Sequence, residues 1–299
     1  MSVAPEPEFP GLQFYDVRSA DGTMLTAWTN NAAGPTVLLC NGLGTNAYAW
    51  PAFLEPDCGV RVLSWNHRGV GGSERPADPD RVGVDAFVED ALAVMDRDGV
   101  DQAVVIGWSI GVNIAFELAV RHPDRVSGLF AMAGVPGGSF GSMLGPLWVP
   151  RPLRHPLTVG ISMVLRGTGR VLSPATSRLP TGRLGTTLLR HSGFMFPRAD
   201  EAAVSVALHE FLSTDVDWYF HLAVAASRHR RVSLRTIAVP TTFLAGKYDV
   251  LAGLHEIRTA TERIPGAQRI ELPGSHFVQM EFPDEVHAAL LELLRRVGP

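Results

Sequence analysis

A serine hydroxyl becomes a nucleophile at neutral pH when a base stands within hydrogen-bond reach and a carboxylate orients that base. One serine of this chain is framed for that chemistry. Ser109 sits in Gly107-Trp108-Ser109-Ile110-Gly111. The β-branched run 102–106 before it reads as a buried strand, and residues 112–122 after it read as a helix. A Gly-x-Ser-x-Gly where strand becomes helix makes a tight turn that lifts the hydroxyl clear of a sheet. The outer glycines leave room for neighbouring backbone around a central residue expected at positive φ.

Ten histidines compete to be the base. His276, in Pro273-Gly274-Ser275-His276-Phe277, follows the last predicted strand, at the end of the sheet where Ser109 also emerges. His122, before Pro123, and His67, beside Arg68, read as structural or solvated. His155, His191, His209, His221 and His229 are expected on helix surfaces in the middle of the chain. Asp249, in Gly246-Lys247-Tyr248-Asp249, also follows a strand end. The competing place after the strand at 126–133 holds no acid. The order Ser109, Asp249, His276 is thus the predicted catalytic set. A tetrahedral intermediate also needs preorganised N–H donors for its oxyanion. One is expected from Ile110, at a helix N-terminus, and the other from the turn Asn41-Gly42-Leu43-Gly44, with Leu43 as the donor.

The elements that must position these groups alternate. Residues 12–18 and 24–29, joined through Asp21-Gly22, read as a hairpin. Strands are expected at 35–40, 60–65, 102–106, 126–133, 239–246 and 268–272. Helices are expected at 84–97, 112–122, 254–263 and 284–296. That rhythm implies an α/β fold with a mostly parallel sheet flanked by helices. It stops at Gly134: the stretch 136–156 is too proline-rich to form one helix, and helical patterns at 199–212 and 215–229 follow. The chain therefore divides into a core at 1–135, a helical insertion at 136–235 and a second core part at 236–299.

Charge supports that division. The segment 136–235 carries 12 arginines and no lysine against 5 acidic residues, a net of +7, which leaves −11 for the rest of a chain whose total is −4. An acidic total without a basic recognition motif argues against nucleic-acid binding. No run reaches the roughly 18 apolar residues of a membrane span, and the first ten residues lack an apolar segment, so a cytoplasmic location is expected. Cys40 and Cys58 are expected as buried free thiols, with no metal-ligand spacing around them.

Taken together, Asn41-Gly42-Leu43-Gly44 with Trp50 downstream, Arg68-Gly69-x-Gly71-x-Ser73, the Ser109 pentapeptide, Gly246-x-x-Asp249 and Gly274-x-His276-Phe277 with Glu281-x-Pro283 after it resemble the α/β-hydrolase superfamily, in its cap-bearing serine hydrolase branch. The resemblance covers nearly all of the chain outside the insertion. It implies an α/β-hydrolase fold with an inserted helical cap and a cofactor-free reaction. One departure is Asn41, where members often carry histidine; backbone donors are expected to preserve the oxyanion hole. Members with aspartate at the nucleophile position are dehalogenases and epoxide hydrolases, from which Ser109 differs.

The expected activity is hydrolysis of a carboxylic ester or thioester through an acyl-serine. Haloperoxidase or perhydrolase chemistry and carbon–carbon bond hydrolysis use the same triad, and a ligand-binding module without turnover is a further alternative. Gly42 and Trp108 are expected to border the substrate, and Met143, Leu144, Trp148, Met163, Phe194, Met195, Phe196, Trp218 and Phe220 to give the cap an apolar lining. The expected partner is a small apolar or aromatic ester. The arginine excess of the insertion allows attraction of anionic substrates, and self-association is left open.

Overall fold

The computed structural model describes residues 11–55, 57–143, 149–176, 182–230 and 232–298. Eight strands, β1 (Gln13–Arg18), β2 (Met24–Thr29), β3 (Thr36–Cys40), β4 (Arg61–Trp65), β5 (Ala103–Trp108), β6 (Val126–Met132), β7 (Thr241–Gly246) and β8 (Gln268–Leu272), form one sheet. Their order is β1-β2-β4-β3-β5-β6-β7-β8. β2 runs antiparallel to both β1 and β4, and the other pairs are parallel. Every strand read from the sequence is present, with ends shifted by two residues at most.

β5 explains why the sheet needs two covered faces. All six of its residues are buried, and successive side chains point to opposite sides. Val105 joins Leu38, Phe87, Phe116 and Phe243 on one face. Val104, Ile106 and Trp108 join Leu39, Trp50, Phe130 and Leu290 on the other. The first face is closed by α2 (Val84–Arg97), α3 (Gly111–Arg121) and α9 (Leu254–Thr261), and the second chiefly by α11 (Pro283–Val297) with the short α1 (Pro51–Leu54) and α10 (Val278–Glu281).

Between β6 and β7 lie α4 (Ser139–Ser142), α5 (Arg151–Thr176), α6 (Arg183–Arg190), α7 (Glu201–Ser213) and α8 (Val216–Ser227). Within the described part of 136–156, α4 ends at Ser142 and α5, a single helix of 26 residues, opens at Arg151. Pro152 falls in the first turn, where its N–H would have had no partner. Pro156 deletes one ladder bond further in, a cost offset by the long packing of α5 on α8. The expectation that the histidines here lie on helix surfaces is corrected at two of them. His221 is buried and its Nε2 donates to the Pro79 carbonyl at 2.6 Å, and His229 is largely covered, 3.5 Å from Glu117.

A charged cluster moors these helices to the core. Arg68 is fully buried and reaches Asp90 at 2.7 Å, Ser19 at 3.0 Å and the Arg81 carbonyl at 2.8 Å, with Asp21 on the same guanidinium. Its own carbonyl accepts from Trp218 Nε1 of α8 at 2.8 Å. Loop 66–81 is thus stiffened from the core side and gripped by α8 from the other.

His67 occupies that same loop, buried, with neither ring nitrogen hydrogen-bonded and the Phe87 ring edge-on at 4.8 Å. Burial pushes its pKa down to about 4. The folded protein therefore refuses a proton that the unfolded chain accepts near pH 6.5. The neutral ring's contribution is fully present above about pH 6.5 and is lost as the pH falls toward 4, by about 3 kcal/mol in all. Urea unfolding of His67→Phe, followed from pH 7 to pH 4, is expected to lose this slope; a slope equal to that of the parent would assign acid sensitivity elsewhere.

Candidate active site

Ser109 adopts φ = 57°, which few non-glycine residues do. The neighbourhood enforces it. A Cβ on Gly111 would lie 1.9 Å from the Cys40 carbonyl oxygen, and one on Gly107 would lie 2.7 Å from the Gly111 carbonyl oxygen. Close approach of β3, β5 and α3 thus requires both glycines, and the serine takes the strained place between them. Strain of this kind costs about 1–3 kcal/mol and holds the hydroxyl at the edge of the sheet.

His276 Nε2 lies 2.9 Å from Ser109 Oγ, and His276 Nδ1 lies 2.8 Å from Asp249 Oδ2. With the carboxylate accepting from Nδ1–H, Nε2 is left free to accept the serine proton. Asp249 is fixed in turn: its Oδ1 accepts from Leu251 N at 2.7 Å and Ala252 N at 2.8 Å. The His276 backbone is also held, since its carbonyl accepts from Trp108 Nε1 at 3.1 Å. The three residues singled out in the sequence therefore form one hydrogen-bonded chain.

The two expected donors flank that chain. Ile110 and Leu43 both border the cavity above Ser109, and among the described residues neither N–H is taken by another group of the protein. Ile110 caps α3, so its N–H belongs to the unpaired donors of a helix N-terminus. Asn41, the departure from the family pattern, accepts from Trp50 Nε1 at 2.8 Å, and Trp50 packs edge-on against Trp108. Gly42 lies over the Trp108 ring, where a Cβ would meet Cε3 at 2.9 Å. Gly42 and Trp108 both border the cavity, and Trp108 also steadies the histidine loop.

The cavity measures about 220 Å³, room for roughly seven water volumes or an organic group of that bulk. Its wall is almost entirely apolar, from Leu43, Ile110 and Phe277 below and Phe194, Leu208 and Phe211 above, and carries no carboxylate, lysine or arginine among the described residues. Of the apolar residues expected there, Met143, Phe194 and Met195 take part. Leu144 and Trp148 lie outside the described residues. Met163 instead faces solvent, Trp218 grips Arg68, Phe196 packs on Tyr248 and Phe220 on Tyr219. Among the described residues, none of the arginines thought able to attract an anionic substrate lines this wall; Arg154, Arg190 and Arg198 pair with Glu256, Glu201 and Glu285.

The roles of two residues escaped the sequence reading. Tyr219 lies on the cavity wall beside Gly44, and burial pushes its pKa up to about 12, so its hydroxyl keeps its proton. Its spacing from Ala223 and Ala226, which also border the cavity, was the available signal. Glu281 is buried and accepts from Ser275 N at 2.7 Å, Ser275 Oγ at 2.6 Å and Phe196 N at 2.8 Å. One carboxylate thereby ties the histidine loop to the inserted helices.

A sheet of this topology with a serine–histidine–aspartate chain at its C-terminal edge defines a hydrolase architecture. The sequence agrees: residues 35–283 match the alpha/beta hydrolase fold family, to which the chain belongs. Epoxide hydrolase A of Mycobacterium tuberculosis is 26% identical, with 87% of this chain and 90% of that protein aligned. Among solved structures, an esterase from Thermogutta terrifontis is 21% identical with a TM-score of 0.70, covering 96% of this chain and 100% of the other. The epoxide hydrolase of Bacillus megaterium is 18% identical with a TM-score of 0.74, covering 95% and 100%.

Glu281→Gln keeps the volume of the side chain but turns an NH₂ toward groups that are themselves donors. The urea midpoint is expected to fall by the equivalent of about 1–3 kcal/mol. An unchanged midpoint would remove Glu281 from the tether.

Proposed function

We propose that the protein hydrolyses carboxylic esters or thioesters of modest, uncharged acyl or aryl groups through an acyl-serine. Ser109 Oγ attacks the carbonyl carbon while His276 Nε2 takes its proton. Asp249 holds the imidazole and stabilises the imidazolium that forms. The N–H groups of Leu43 and Ile110 donate to the oxyanion. His276 returns the proton to the leaving alcohol or thiol, then activates a water that releases the acid and restores Ser109. The substrate's apolar portion rests against Phe194, Leu208, Phe211 and Phe277.

The observation that carries this reading is the identity of the nucleophile, a serine hydroxyl 2.9 Å from a carboxylate-oriented imidazole. Some relatives are named epoxide hydrolases, and the chemistry separates the cases. A carboxylate that opens an epoxide leaves an ester, which water cleaves. A serine that opens an epoxide leaves an ether, which this machinery has no means to hydrolyse. An acyl-serine is an ester, so the same histidine can release it. Ser109 therefore favours acyl transfer over epoxide opening.

Intact mass after treatment with a fluorophosphonate is expected to show one adduct, absent from Ser109→Ala and His276→Ala. In a panel of p-nitrophenyl esters, neutral short and aromatic acyl groups are expected to turn over, with kcat/KM at least about 1,000-fold lower in Ser109→Ala. Epoxide opening that survives Ser109→Ala, or the absence of any adduct on the folded protein, would overturn the reading.

A further inference from the structure

Helix α5 is packed inside out. Its seam against α8 runs through small residues: Ser162 is buried, a Cβ on Gly169 would lie 2.3 Å from Asp217 N, and Ser173 Oγ accepts from Val216 N at 2.9 Å. The large apolar residues Leu153, Leu157, Ile161 and Val164 are 56%, 46%, 47% and 64% exposed. At about 100° per residue these four fall within a sector of about 80°, opposite the seam. On α6, Leu184 and Leu188 repeat the pattern one turn apart, both exposed. Scattered apolar residues on a surface need no explanation. A row of them along the outer face of one helix does.

Charge selects what covers the row. The insertion that bears it has a net charge of +7, built entirely from arginine, while the rest of the chain is −11. Arg183 on α6, 3.8 Å from Glu201, and Arg228 and Arg230 after α8 are exposed, while Arg166 falls on the seam side of α5, about 180° from the middle of the row. A second copy meeting this one insertion to insertion would set two cationic surfaces together. An anionic bilayer instead offers acyl chains to the row and phosphates to the guanidiniums, and arginine stems can lie along apolar surface while their heads stay wet. Among the described residues no helix is long and apolar enough to cross a membrane, so this contact lies in the surface plane.

We propose that α5 and α6 dock the protein on the surface of an anionic phospholipid bilayer. Leu188 faces out while its neighbour Leu189 borders the cavity that holds Ser109. Docking through α6 thereby sets the active-site cavity beside the interface, from which a lipophilic ester can enter.

The test is flotation of the full chain with vesicles of phosphatidylcholine alone or mixed with phosphatidylglycerol, at low and high salt, beside a Leu157→Ser/Ile161→Ser double variant. The parent is expected to float with the mixed vesicles. Binding should fall at least about tenfold on pure phosphatidylcholine, in high salt and in the double variant, whose melting midpoint and fluorophosphonate labelling should not change. Absence of vesicle binding by the parent, or binding indifferent to the double substitution, overturns the proposal. So does a parent dimer in sedimentation that the double variant dissociates while neither protein floats, since the row is then covered by a second copy. Flotation does not depend on Ser109, so failure of the ester reading would leave this result intact, and the reverse also holds.

Discussion

The backbone crowding at the end of β5 is the constraint on which the rest of the site depends. Three segments, the end of β3, the turn at Ser109 and the start of α3, approach so closely that a methyl group at Gly111 would overlap the Cys40 carbonyl. The same crowding continues across β6, where Ala133 also takes positive φ and a Cβ on Gly134 would lie 2.4 Å from the Ser109 carbonyl oxygen. Because neighbours on both sides are backbone, the turn cannot relax by rotating a side chain. The strain at Ser109 is therefore held by the sheet as a whole, and the hydroxyl has a fixed place to which the histidine can be fitted.

The histidine and the carboxylate come from loops, which makes their order a matter of polar tethers more than of packing. Asp249 is pinned by two N–H groups of its own turn. The His276 loop is pinned twice, by the Trp108 indole at its carbonyl and by Glu281 one residue before it. Both tethers originate close to the parts they serve: Trp108 is the neighbour of Ser109 in sequence, and Glu281 also holds Phe196 of the insertion. The insertion and the loop of His276 are thus joined through one buried carboxylate.

The core and the three residues of the hydrogen-bonded chain, Ser109, His276 and Asp249, were legible because each carries a local signal. Alternating buried strands of five to seven residues, glycines at strand ends and polar residues just past them fix the topology and place the site. Trp108 was legible as a neighbour of Ser109, but its bond to His276 was not, since nothing local to either residue encodes their meeting. Glu281 was visible as part of a short motif near the last helix, yet its three partners come from two loops far apart in sequence. His221 read as a helix-surface residue because its partner, the Pro79 carbonyl, belongs to the core loop that α8 covers.

The insertion was less legible for a physical reason that bears on what it does. A core helix has one apolar face and one destination for it. An inserted helix here has three: the cavity, the mooring loop and the outside. α8 sends Tyr219 and Ala223 to the cavity and Trp218 to Arg68. α6 sends Leu189 to the cavity and Leu184 and Leu188 outward, and α5 turns its row of large residues away from its packing seam. Hydrophobic periodicity reports that a face exists and is silent about which destination it serves. That silence explains why a list of apolar residues in the insertion mixed cavity wall, anchor and surface. It also separates two parts of the site: the sheet and its loops carry Ser109, His276 and Asp249, and the inserted side chains line the cavity above them.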